Sequence, residues 1–303
     1  MRAEIAVTLV LLGALGAAGC GDGDPAARTT TTTPAQRAAA CTPPAPGAYR
    51  VPVEDGRVPV LLHVPDVAVK GRRPVVVHLP GAGQDGLFAE AYTGESALAD
   101  REGFLVAYPT AAGKSPFWNV SGRAAGKPDD IAYLRKVIGR LSGPGICADP
   151  KRVFVTGASN GGGMTAALAC AAPELLAAAA PVAGGYSSLP RCRSRTPLPL
   201  LEIHSLADPV VPYRGKGPGH AGAVATFLRQ WRARNGCAGA ARRSAPADGV
   251  TELRWDCDDA PVAHERLRDA PHGWPPSSTA RTWAFFSRAP ASPGPPASSS
   301  RAR

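Results

Sequence analysis

The chain has 303 residues, 44% of them hydrophobic and 19% charged, with a formal charge of +10. That length suits one large α/β domain or two small ones, with enough apolar residues for a sizeable core. The arginines are scattered among acidic residues and no basic block is interleaved with aromatics, which argues against nucleic acid as a partner and for a soluble, basic surface.

Residues 5–18 form an apolar stretch too short to span a bilayer, closing on Gly16-Ala17-Ala18-Gly19. This is the layout of a secretory signal peptide, so residues 1–20 are expected to direct export. Cys20 follows the small residues directly and precedes the polar Gly21-Asp22-Gly23-Asp24. The arrangement resembles a bacterial lipoprotein processing site and implies membrane anchoring through a lipidated Cys20. Residues 21–41, with threonine at every position from Thr29 to Thr33, cannot bury apolar surface and read as a flexible linker. One folded domain is expected over 42–288, followed by a disordered Ala/Ser/Pro/Arg tail over 289–303.

Inside the domain, short apolar runs alternate with helical patterns. Strands are predicted over 58–64, 74–79, 104–108, 152–156, 177–182 and 198–204, with a strand-like run at 251–255. Helices are predicted over 88–102, 129–141, 160–170, 221–235 and 278–287, the second opened by Asp129 and Asp130, which favour a helix N-terminus. The alternation predicts an α/β fold with a mostly parallel central sheet and helices on both faces.

The first informative turn is Gly81-Ala82-Gly83-Gln84-Asp85-Gly86, directly after a strand. G-x-G-x-x-G there is also the dinucleotide fingerprint, which requires an acid at the end of the next strand. That strand ends Ala107-Tyr108-Pro109-Thr110, so no nucleotide cofactor is expected. Residues 122–127 are one short of a P-loop and run into Pro128. The loop backbone suits a different anion, the oxyanion of a tetrahedral intermediate, with N–H donors from Ala82 or Gly83 and from Asn160.

The second is Val153-Phe154-Val155-Thr156-Gly157-Ala158-Ser159-Asn160-Gly161-Gly162-Gly163-Met164. A β-branched strand enters Gly-x-Ser-x-Gly and leaves in an Ala-rich helix, the setting in which a serine is held on a sharp turn as a nucleophile. Such a serine needs a base and an orienting acid, arriving later in the order Ser, Asp, His. Asp208 lies in a loop after the strand at 198–204, and His272 lies in Ala270-Pro271-His272-Gly273-Trp274-Pro275 before the last helix. His204 is a rival base, but its place at a strand end beside Asp208 reads as structural.

Seven cysteines occur; apart from Cys20 they are Cys41, Cys147, Cys170, Cys192, Cys237 and Cys257. An even number in an exported chain, with no CxxC pair and no histidines at ligand spacing, predicts disulfides and no metal site. Cys237 and Cys257 flank a short connection and are expected to pair. Cys147 and Cys170 are expected at one edge of the sheet, leaving Cys41 for Cys192.

These segments together resemble the secreted polyhydroxybutyrate-depolymerase and feruloyl-esterase group, including LpqC-type esterase lipoproteins. The resemblance runs through the Gly-rich loop with Gln84, Trp118-Asn119, Asp129-Asp130, Gly157 to Met164, Asp208 to Tyr213 and His272 to Pro275. It implies an α/β-hydrolase domain acting on ester substrates through Ser159, His272 and Asp208, without a cofactor. Trp118 and Trp274 are expected to line the acyl pocket. Pro80 and Pro271 depart from the group's pattern, standing where it has a histidine and a glycine. Peptidase or acyltransferase chemistry on the same fold, or a non-catalytic surface-anchored binding protein, are the alternatives.

Overall fold

The computed structural model describes residues 44–292 apart from 70, 123–125, 127, 190–191, 193, 216–222 and 259. The export segment read over 1–20, Cys20 and the 21–41 linker lie outside the described residues, and all the described ones fall in one compact unit, Ala38–Arg303. In chain order the strands are β1 (Gly47–Val51), β2 (Val60–Val64), β3 (Arg73–Leu79), β4 (Leu105–Tyr108), β5 (Ala148–Ala158), β6 (Ala178–Val182), β7 (Leu200–Ser205), β8 (Arg242–Ala247), β9 (Val250–Trp255) and β10 (Val262–Leu267). The helices are α1 (Gly86–Thr93), α2 (Glu95–Glu102), α3 (Asp130–Ser142), α4 (Asn160–Ala171), α5 (Val224–Arg234) and α6 (Ser278–Phe286). No described helix is long and apolar enough to cross a membrane.

The strands form one sheet in the order β1-β2-β4-β3-β5-β6-β7-β10-β9-β8. The run from β4 through β3, β5, β6 and β7 to β10 is parallel, and antiparallel strands close both ends. Because successive side chains of a strand point to opposite faces, an unbroken apolar run feeds two cores at once. Val153 and Val155 of β5 join Val75 and Val77 of β3 on one face, under α3, α4 and α5. Phe154 and Val76 point to the other face, under α1, α2 and α6. The mostly parallel sheet with helices on both faces is what the alternating pattern predicts, and the whole is the α/β-hydrolase fold that the resemblance implies.

The structure differs from the sequence reading in several places, three of which bear on the layout of the domain. The helix expected over 88–102 is two helices, because Gly94 takes φ 70° between them, a left-handed conformation that ends one helix before the next begins. The chain stays in contact with the domain past 288: Ser292 is buried and its N–H donates to the Lys151 carbonyl at 2.8 Å. The third concerns the cysteines. Cys237 pairs with Cys257, but Cys170 pairs with Cys192, not with Cys147, and this also removes the expected Cys41–Cys192 bridge. The reason is topological. The link from β6 to its parallel neighbour β7 must return along the sheet, and it passes the last turn of α4. There the Arg234 guanidinium ties Thr196 of the link to Ala169 of the helix. Cys147 is itself disulfide-bonded.

Candidate active site

β5 becomes α4 through a single residue, Ser159, held at φ 56° and ψ −118°. A side chain pays on the order of 1–3 kcal/mol for such a backbone, so the surroundings must over-determine it. They do so through closeness. A Cβ on either Gly157 or Gly161 would collide with the Leu79 carbonyl at the end of β3, so glycine two residues to each side lets β3, β5 and α4 meet. The Ser159 N–H donates to the Val182 carbonyl at 3.0 Å, pinning the turn to β6. The half-buried hydroxyl stands at the N-terminus of α4, where the helix dipole favours negative charge.

Asp208 sits on the loop leaving β7. Its Oδ1 accepts the N–H groups of Val210 and Val211, both at 2.9 Å, and its Oδ2 lies 2.8 Å from Nδ1 of His272. Burial pushes this carboxyl up, but the His272 bond and the two amides outweigh burial and hold it below the usual aspartate range. His272 arrives on the loop after β10, the parallel neighbour of β7, and the two loops are stitched at their roots by Leu206 N–H to Leu267 O, 2.8 Å. Since a carboxylate only accepts, Nδ1 of His272 carries the hydrogen and Nε2 is left as an acceptor. That nitrogen is 2.8 Å from Ser159 Oγ. The three side chains picked out in the sequence therefore converge in one hydrogen-bonded chain.

Ala82, Trp118, Ser159 and Asn160 line a cavity of about 960 Å³, walled further by Phe117 and Val210. The two oxyanion candidates near β3 separate here. Gly83 N–H donates to the Pro116 carbonyl at 2.7 Å, which takes it away from the cavity, whereas Ala82 borders the cavity beside Ser159. The tryptophans separate as well. Trp118 borders the cavity but its side chain is buried, with Nε1 donating to the Pro80 carbonyl at 2.9 Å, so it props the Gly-rich loop. Trp274 lies outside the cavity lining, contrary to expectation. It packs edge-on to His78 at 4.7 Å, and its Nε1 donates to Thr279. Its carbonyl accepts the Tyr92 hydroxyl at 3.0 Å, so Trp274 braces the histidine loop against α1. His204 is buried away from the serine, between Glu202 and the Val211 carbonyl.

Two contributors were not legible in sequence. The Asn160 side chain, besides its backbone, clamps the Trp118 main chain, accepting from its N–H at 2.7 Å and donating to its carbonyl at 3.1 Å. Asp130 was read only as a helix-start residue, yet its buried carboxylate binds the Asn119 N–H and Arg57, both at 2.5 Å. Trp118-Asn119 and Asp129-Asp130 each stand out in the sequence, but no spacing says that one holds the other.

The sheet order, the strained serine turn and the two stitched loops together make up the α/β-hydrolase fold. Acetyl xylan esterase from Aspergillus awamori has the same fold: TM-score 0.65 over 80% of this chain and 99% of that one, at 17% identity. Residues 59–190 match the family model described as Esterase PHB depolymerase, a span containing Ser159 but neither Asp208 nor His272. Among curated relatives, feruloyl esterase B of Piromyces equi is 32% identical over 54% of this chain. The bifunctional acetylxylan esterase/xylanase of Neocallimastix patriciarum is 26% identical over 69% of it. The matches span 32% and 30% of those two relatives' own lengths.

Proposed function

We propose that the protein is an exported serine carboxylic-ester hydrolase that works through Ser159, His272 and Asp208 and an acyl-enzyme. The observation that carries this is the unbroken chain from Asp208 Oδ2 through both nitrogens of His272 to Ser159 Oγ, 2.8 Å at each link. His272 Nε2 takes the hydroxyl proton as Oγ attacks the ester carbonyl carbon. Asp208 fixes the tautomer and stabilises the imidazolium that forms. The negative oxygen of the tetrahedral intermediate accepts from the backbone N–H groups of Ala82 and Asn160. His272 then returns the proton to the leaving alcohol, and a water molecule repeats the sequence to free the acid.

Acyl groups such as feruloyl and acetyl, named in the relatives, fit a cavity of this size with its apolar Phe117 and Val210 walls. Export is supported by the pattern of residues 1–20 and by the disulfides Cys170–Cys192 and Cys237–Cys257. Lipid attachment at Cys20 completes the reading. Ser159→Ala is expected to lower p-nitrophenyl acetate turnover by more than about 10⁴-fold with the circular dichroism unchanged. Undiminished turnover in that variant would remove the serine from the mechanism.

A further inference from the structure

Behind Asp208, on the side away from the serine, lies a polar cluster that the ester mechanism does not use. Glu202 stands in the middle of β7, fully buried, where an uncompensated carboxylate is too costly to keep. Its Oε1 accepts the Tyr186 hydroxyl at 2.9 Å and meets Nδ1 of His204 at 3.0 Å. Its Oε2 lies 2.6 Å from Nδ1 of His264 on the adjacent β10, and that nitrogen also donates to the Glu202 carbonyl at 3.1 Å. The far nitrogen of His264 meets the Tyr213 hydroxyl at 2.8 Å.

The second nitrogen of His204 decides its charge. Nε2 is 2.8 Å from the Val211 carbonyl and 3.5 Å from Asp208 Oδ2. A carbonyl and a carboxylate only accept, so both ring nitrogens of His204 face acceptors and both must carry hydrogen. We propose that His204 is a permanent buried imidazolium, a positioning residue that ties the Asp208 loop to the sheet and sets a positive charge against the carboxylate that orients His272. The idea rests on the ester-hydrolase reading for its consequence in turnover, but the charge state itself does not depend on catalysis.

The charges facing His204 agree. Glu202 and Asp208 are the carboxylates in reach, Tyr213 lies edge-on to the ring at 5.9 Å, and Arg266 is its partner in register on β10. Burial alone pushes the imidazole down, but the Glu202 bond and charge, the Val211 carbonyl and Asp208 raise it above its usual value. The cation sets a positive charge 3.5 Å from the carboxylate oxygen that also meets His272, so deleting it changes the field in which that pair works.

The test has two arms. ¹⁵N NMR of the full protein labelled at histidine should show both His204 nitrogens still protonated above the pH at which an ordinary histidine has lost its proton. In Glu202→Gln one of them should be bare at neutral pH. A neutral His204 in the native protein overturns the proposal, whatever the enzyme hydrolyses. In the second arm, His204→Gln keeps a donor for the Val211 carbonyl but deletes the charge. The acidic limb of kcat/KM against pH should move up by about half a unit to one unit. A fall in kcat with the limb unmoved would mean that His204 only packs, and would also overturn it.

Discussion

At the scale of single residues, two buried carboxylates are held charged by the histidines and amides beside them. Glu202 is the extreme case: burial alone would raise it, but the charge of His264 and the bonds from His204 and His264 bring it down to about 2 from an ordinary 4.5. Asp208 is lowered in the same sense, against its burial, by His272 and the Val211 and Val210 amides. A carboxyl whose folded value lies below its unfolded one stabilises fully above the unfolded value. That contribution disappears as pH falls through the folded value. Unfolding free energy should therefore decline between pH 4.5 and about 2. Urea titrations at stepped pH should show a shallower decline in Glu202→Gln. Of these residues, Ser159, Asp208 and His272 could be found in the sequence because chemistry constrains their neighbours and order. Glu202 could not, since a lone acid in an apolar strand looks the same whether or not two histidines from other positions meet it.

At the scale of elements, what was legible followed from periodicity. The core strands β3, β5 and β6 are apolar on both faces and read directly as buried parallel strands. β8 was missed because all six of its residues, Arg242–Ala247, are exposed at the sheet edge and carry no alternation. β1 was missed as well, being a short edge strand with only Val51 buried. Trp274 was expected at the pocket on the strength of the resemblance; its partners Tyr92 and Thr279 lie in other elements and leave no local trace. The second core has a clear keystone. Phe154 of β5 stacks on Phe286 of α6 at 4.8 Å and meets Trp283 edge-on at 6.4 Å. Phe154→Ala removes those contacts and leaves a cavity, so chemical denaturation should show a loss of about 3–5 kcal/mol. Below the unfolding transition, activity per folded molecule should change little, since Phe154 points away from the face that carries α4.

At the scale of the whole molecule, the site is assembled from three segments far apart in the chain. The serine comes from the β5–α4 turn, the aspartate from the loop after β7 and the histidine from the loop after β10. The sheet order makes β7 and β10 parallel neighbours, so the ends of both emerge on the rim where β5 turns into α4. Everything else in the site supports that meeting: Asn160 and Asp130 hold the Trp118 loop, Tyr92 and Trp274 hold the histidine loop, and Cys170–Cys192 closes the link between β6 and β7. A fluorophosphonate reads the outcome directly, because it phosphonylates a serine only where a base and an oxyanion site are already assembled. Peptide mass spectrometry of the treated protein should find one adduct, on Ser159, that is lost in His272→Ala. An unlabelled protein, or an adduct on another residue, would contradict the account.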